Sequence, residues 1–199
     1  LGSKLIDRLD RLTFRLPRYR ALARRLLARP SEISLREARF LGELVRRAPP
    51  ERPIVEIGTL FGSSTRVLAM FKAPGTPLIT VDSFRWNPHG LRRPMHAAIT
   101  REVLREAIDE HDVRLMEMDK GEFYRTYVGP SPGLVFLDAH HGYESTLEDI
   151  RWAQSAGAEI VCGHDYREQF PGVIRAVEEC GGAEQVVGTV FVLKRAMAG

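Results

Sequence analysis

Five short apolar runs recur at residues 53–57, 77–82, 113–118, 133–138 and 158–163, and this recurrence limits the fold more than any other feature of the chain. Amphipathic segments near 63–72, 96–110, 144–156 and 168–180 fall between them. Short buried strands alternating with amphipathic helices build a parallel sheet covered on both faces. The last apolar stretch, QVVGTVFVLK (185–194), is two runs about Gly188 and Thr189 and reads as an antiparallel hairpin. The expectation is an α/β Rossmann-like fold whose parallel sheet ends in a reversed strand.

The 199 residues suffice for one well-buried domain with an extra segment at one end. That segment is basic. Residues 1–29 carry nine basic and two acidic residues, a net of +7, which leaves −4 for the rest of a chain whose formal charge is +3. Leu5, Leu9, Leu12 and Leu16 recur at helical spacing up to Pro17, and Leu22, Leu26 and Leu27 continue up to Pro30. Ser34 and Glu37 then form a capping-box pair at the start of a further helix, which Pro49 and Pro50 end. The division expected is a basic helical arm over 1–48 and a ligand-binding domain over 49–199. No apolar run approaches the ~20 residues of a membrane span, and no secretory signal is evident. Cys162 and Cys180 lack metal-ligand spacing and suit buried thiols in a reducing cytoplasm, the location expected.

The first strand runs into a glycine turn, IVEIGTLFGSST (Ile54–Thr65). Glycines are needed where a strand turns into a helix and the backbone approaches a ligand. Gly58 and Gly62 serve here, and Thr59, Ser63 and Ser64 border the free amides at the helix start. A phosphate-binding P-loop would need a lysine after the second glycine, where Ser63 stands. The Gly-x-x-x-Gly spacing fits a nicotinamide fingerprint poorly. S-adenosylmethionine has no phosphate but carries an ammonium and a sulfonium, and Glu56, two residues before the first glycine, suits such a cation. The second strand ends at Asp82 and Ser83, where a carboxylate can take hydrogen bonds from a ribose diol, although a dinucleotide would use the same acid. Met118 and Asp119 end the third strand, where an adenine edge would lie; a plain strand-to-helix turn is the equal alternative.

The fourth strand leads into DAHHGYE (Asp138–Glu144), and the fifth ends at His164 and Asp165. Both acids fall at the sheet edge that holds ligands in open α/β folds. Asp138, His164 and Asp165 can therefore converge on a divalent cation such as Mg²⁺ or Mn²⁺, with His141 as a general base. A strand-end aspartate that caps the next helix is the structural alternative.

These motifs resemble the class I S-adenosylmethionine-dependent methyltransferases, within their small-molecule O-methyltransferase group, which includes macrolide-sugar methyltransferases and cephalosporin-hydroxylase-like proteins. The resemblance covers roughly residues 52–194. It rests on VEIGTLFGSST (Val55–Thr65), VDSF (Val81–Phe84), the Asp-x-x-His-x-Tyr turn at Asp138, His141 and Tyr143, and the pair His164 and Asp165. It implies a seven-stranded sheet with its last strand reversed. It implies cofactor contacts from Glu56, Gly58 and Asp82, a metal held by Asp138, His164 and Asp165, and His141 as base. Many relatives have an acid where this chain has His164.

The expected activity is metal-assisted O-methylation of a small-molecule hydroxyl. A non-catalytic protein of the same fold is one alternative, and a methyltransferase guided to nucleic acid by the basic arm is another. The arm has only Phe14 and Tyr19 among its arginines, too few for a stacking platform, so packing over the cofactor edge or against a second subunit ranks ahead of nucleic acid or an anionic membrane surface. The arm and the loop near 83–96 would shape the acceptor pocket, with Phe84 and Trp86 available for stacking.

Overall fold

The computed structural model describes residues 33–86 and 90–194. The helices expected within residues 1–30 lie outside the described residues. The first described helix, α1 (Leu35–Arg47), starts at Ser34 with both halves of the capping box formed. Among the described residues no helix is long and apolar enough to cross a membrane.

Seven strands follow: β1 (Ile54–Ile57), β2 (Leu78–Asp82), β3 (Val113–Glu117), β4 (Leu134–Leu137), β5 (Ile160–Gly163), β6 (Ala183–Val187) and β7 (Val190–Leu193). Their order across the sheet is β3-β2-β1-β4-β5-β7-β6. β1 to β5 are mutually parallel, and β7 runs antiparallel to both β5 and β6. The seven-stranded sheet with a reversed strand and the terminal hairpin therefore stand as expected. Tight antiparallel pairing of β6 and β7 needs only Gly188 and Thr189, whereas each parallel connection needs a crossover.

The remaining helices are α2 (Ser63–Phe71), α3 (Arg93–Val103), α4 (Arg105–Glu110), α5 (Lys120–Thr126), α6 (Tyr143–Ser155) and α7 (Pro171–Glu179). Side chains alternate across a strand, so each strand feeds two cores. Ile54, Leu78, Leu134, Phe136 and Cys162 pack with Phe40, Leu41, Leu44 and Leu68 of α1 and α2. Val55, Ile57, Val81, Val135 and Leu137 pack on the other face with Leu147, Ile150, Val173 and Val177 of α6 and α7. Burying each large aliphatic side chain is worth roughly 1.5–3 kcal/mol. The same alternation sends Glu56 and Thr80 toward α1 and α2.

Three details depart from the sequence reading. The helix expected over 96–110 is two, parted at Leu104, whose backbone leaves the helical region while its side chain is fully buried. The helix expected from 168 begins at Pro171, because proline suits a first helical position. The short α5 has no counterpart in the sequence reading; seven residues give too little periodicity to read.

Candidate active site at the carboxyl edge of the sheet

The chain adds β2 and β3 on one side of β1, then β4 and β5 on the other. In such sheets the crevice beyond the strand ends, where the order reverses, is the natural ligand site. A cavity of about 1080 Å³ opens there. It is lined by the β1–α2 turn, by Asp82, Ser83 and Trp86 after β2, by Asp119 and Lys120, and by the segments that follow β4 and β5.

Gly58 has φ of 102°, and a Cβ on it would stand 2.0 Å from the carbonyl oxygen of Asp138. The glycine is thus required by the approach of the turn to the end of β4 as much as by any ligand. Asp82 fastens the turn from the other side. Its Oδ2 accepts from the amides of Thr59 (3.0 Å) and Leu60 (2.8 Å), and its Oδ1 accepts from Phe84 N–H (2.6 Å). Leu60 and Phe84 both adopt positive φ, a cost these bonds offset. Gly58, Thr59, Ser63, Ser64, Asp82 and Ser83 all line the cavity. Phe84 is buried against His96, with ring centroids 5.0 Å apart, which leaves Trp86 as the exposed aromatic of that pair on the cavity wall.

Glu56 lies beneath the turn rather than on the cavity wall. It is fully buried, and its Oε2 accepts from the hydroxyls of Thr65 (2.5 Å) and Thr80 (2.6 Å), tying α2 to β2. Its Oε1 has no hydrogen-bond partner among the described residues. Burial pushes this carboxyl up to about 7, against the pull of the neighbouring hydroxyls and with help from Asp138. Met118 packs against the core on the α6 side and does not line the cavity. Asp119 does line it and also caps α5, accepting from Gly121 N–H at 3.0 Å.

The segments that follow β4 and β5 deliver the acid and histidine cluster to the same cavity. One ligand atom from each of Asp138, His141 and Asp165 lies within 4.8 Å of the others. His141 Nε2 is 3.0 Å from Asp165 Oδ2 and 3.7 Å from Asp138 Oδ1, and its ring leans on Phe170, centroids 4.3 Å apart. His164 stands beside this group, with Nδ1 3.8 Å from Asp138 Oδ1 and 3.7 Å from Asp165 Oδ2. Asp165 is a non-glycine residue at φ 60°, the kind of strained position that collects at functional sites. Burial opposes the charge on Asp165, but His164, His141 and Arg167 outweigh it and hold the carboxyl below its ordinary range. Burial likewise opposes the charge on His164, yet Asp165, Asp138 and Glu37 hold the imidazole above its ordinary range. The Arg167 guanidinium sits 2.7 Å from Asp165 Oδ1 but off the line of a hydrogen bond.

Buried polar atoms without hydrogen-bond partners among the described residues concentrate here: His141 Nε2, His164 Nε2 and Asp165 Oδ1. Such atoms cost free energy unless a ligand, ion or water meets them. Two carboxylates with imidazole nitrogens also fit the chemistry of a divalent cation. The geometric set that meets includes His141, whereas the sequence reading reserved His141 for proton transfer and gave the metal to His164.

Cavity residues that sequence reasoning did not assign include Glu37, Lys120, Ser145, Arg167 and Phe170. Lys120 Nζ donates to Ser145 Oγ (2.7 Å), to the Ser145 carbonyl (2.9 Å) and to buried Asp149, fixing α5 against α6. Strand-end position was the signal available for Lys120; nothing local marked the others.

A family model described as a methyltransferase domain matches residues 55–166. No functionally curated protein matches the sequence. Among solved structures, the chain is similar to cofactor-bound Rv0187 from MTB, with 21% identity over 96% of this chain and 88% of that one and a TM-score of 0.64. It is similar to an O-methyltransferase from Bacillus cereus in complex with SAH (20% identity, 86% and 87% covered, TM-score 0.64). It is also similar to the O-methyltransferase TomG from Streptomyces achromogenes, involved in tomaymycin synthesis and solved with SAM (23% identity, 85% and 84% covered, TM-score 0.60). At these identities the likeness establishes a shared fold.

Proposed function

The chain belongs to the methyltransferase-domain family, and from that premise we propose that it transfers a methyl group from S-adenosylmethionine to a hydroxyl of a small molecule. The observation that carries this reading is one cavity lined by two chemically distinct groups: the glycine turn with Asp82, Ser83 and Asp119, and the cluster of Asp138, His141, His164 and Asp165. At about 1080 Å³ the cavity lies at the upper limit of ordinary ligand sites, which favours a donor and an acceptor held together. The relatives solved with SAM or SAH support the choice of donor.

In this reading Asp82, Ser83, Thr59, Ser63 and Ser64 bind the donor's nucleoside and amino-acid portions. Asp119, with Met118 behind it, flanks the adenine, and Gly58 lets the turn pass close to Asp138. Glu56 acts from below by holding Thr65 and Thr80. The carboxylates around the cavity favour the positive charge of the sulfonium. The acceptor oxygen attacks the methyl carbon as the carbon–sulfur bond breaks, the electron pair goes to sulfur, and the hydroxyl proton goes to the ring nitrogen of His141 that does not face Asp165. Asp165, 3.0 Å from Nε2 on the other edge of the ring, stabilises the imidazolium that results. Such a base contributes typically ~10²–10⁴-fold, and alignment of the two reactants contributes further. A divalent cation, Mg²⁺ or Mn²⁺, would be held by the carboxylates of Asp138 and Asp165, with the His164 imidazole beside them, and when bound it would lower the pKa of the acceptor hydroxyl.

Titration calorimetry with S-adenosylhomocysteine tests the assignment. Wild type is expected to bind, and Asp82→Ala, which strips the turn of its acceptor, is expected to bind at least ~100-fold more weakly. A wild-type chain that binds neither donor nor product ends this reading.

A further inference from the structure

Glu37 belongs to α1, outside the sheet and its crossover helices, yet its side chain lines the cavity and is 6% exposed. Three elements meet on this carboxylate. Its Oε2 accepts from Ser34 N–H (2.8 Å) at the start of α1. Its Oε1 accepts from the amide (2.7 Å) and the hydroxyl (3.0 Å) of Thr189, 152 residues away in the β6–β7 turn. The same Oε1 lies 3.6 Å from Nε2 of His164, a buried nitrogen without a hydrogen-bond partner among the described residues. The seat is tight: a Cβ on Gly188 would come within 2.4 Å of Oε1. The carboxyl therefore cannot swing away from His164 without breaking the cap of α1 and its bonds to the hairpin turn.

An imidazole has two nitrogens on nearly opposite edges. With Nε2 facing Glu37, Nδ1 faces Asp138 Oδ1 and Asp165 Oδ2, at 3.8 and 3.7 Å. We propose that Glu37 is a positioning residue of the acceptor half of the cavity, holding the His164 ring so that Nδ1 addresses the Asp138 and Asp165 pair. The inference rests on the methyl-transfer reading only in calling that half the acceptor side. Helix α1 and the hairpin turn are thereby parts of the site. Preorganisation of this kind, with the orienting group itself locked by second bonds, is what a site needs to keep a side chain in productive geometry.

The test uses the full chain, uniformly labelled with ¹⁵N and observed through the long-range couplings of its histidine rings at one pH. Spectra of wild type and Glu37→Gln are compared, with His164→Asn used to assign the His164 signals. The Glu37→Gln change is nearly isosteric and keeps an oxygen for Thr189. The expected result is a shift of the His164 ring nitrogens, larger at Nε2 than at Nδ1. The signals of exposed His111 should stay in place, and affinity for S-adenosylhomocysteine should change less than about twofold. A lower melting temperature with His164 signals unmoved overturns the proposal and leaves Glu37 a purely structural tie. If Glu37→Gln does not fold, Glu37→Asp, which keeps the charge and withdraws it by one methylene, must shift the same signals, and unmoved signals there count equally against it. Failure of wild type to bind S-adenosylhomocysteine would instead strike the methyl-transfer reading and leave the His164 result standing.

Discussion

Glu56 offers a quantitative test that needs no knowledge of the acceptor. The side chain is fully buried, one oxygen takes two hydroxyl hydrogen bonds, and the other takes none. Burial dominates and raises the carboxyl from 4.5 to about 7. At about 1.36 kcal/mol for each tenfold change in proton affinity, the folded chain disfavours the anion by about 3 kcal/mol. The sign follows from linkage. Between pH 4.5 and about 7 the unfolded chain has released this proton and the folded chain retains it, so the stability contributed by neutral Glu56 is present below 4.5 and lost as pH rises toward about 7. Glu56→Gln removes the titration and keeps an oxygen for Thr65 and Thr80. Urea unfolding of both proteins between about pH 4 and about pH 8 gives two profiles, and subtraction cancels every group that the substitution leaves alone. The variant should gain on wild type by about 3 kcal/mol across that range, with most of the gain between 4.5 and about 7. A difference that stays constant with pH would refute the claim that Glu56 is held neutral beneath the turn.

Other consequences are equally direct. Gly58→Ala places a methyl against the Asp138 carbonyl at a positive φ and should cost on the order of 3 kcal/mol or more, seen as a lower melting temperature together with loss of S-adenosylhomocysteine binding. At Glu37 burial is outweighed by hydrogen bonds from Ser34 and Thr189, which hold the carboxyl at about 2. Its contribution is present above 4.5 and lost as pH falls toward about 2, so the stability gap between wild type and Glu37→Gln should close under acid unfolding. Once an acceptor is found, His141→Ala should lower kcat by ~10²-fold or more with little change in donor KM, measured by methylated product, whereas equal kcat values would remove His141 from proton transfer. Asp138→Asn should abolish any activation by Mn²⁺, and full activity of wild type in excess chelator would exclude the metal-assisted route.

The order of strands and helices was written in the chain because side-chain periodicity is a local property. Runs such as Ile54–Ile57 and Leu134–Leu137 are too short for a buried helix and read as strands, and Gly188 with Thr189 is too short a link for anything but a hairpin. The chemistry-bearing strand ends were legible for the same reason: parallel strands carry Asp82, Asp138 and Asp165 to one edge whatever the details of packing. Which face a residue takes, and which distant group it meets, was decided by the tertiary structure alone. Strand alternation turns Glu56 under the turn, where it accepts from Thr65 and braces α2. Gly58 is demanded by Asp138, which the chain supplies only three strands later. Glu37 showed itself in sequence only as half of a capping box, and its meeting with Thr189 and His164 depends on α1 docking beside the reversed β7. Capping and periodicity act over three or four residues and can be read along the chain. Contacts across 152 residues exist only once the burial of apolar faces has fixed how the elements stack.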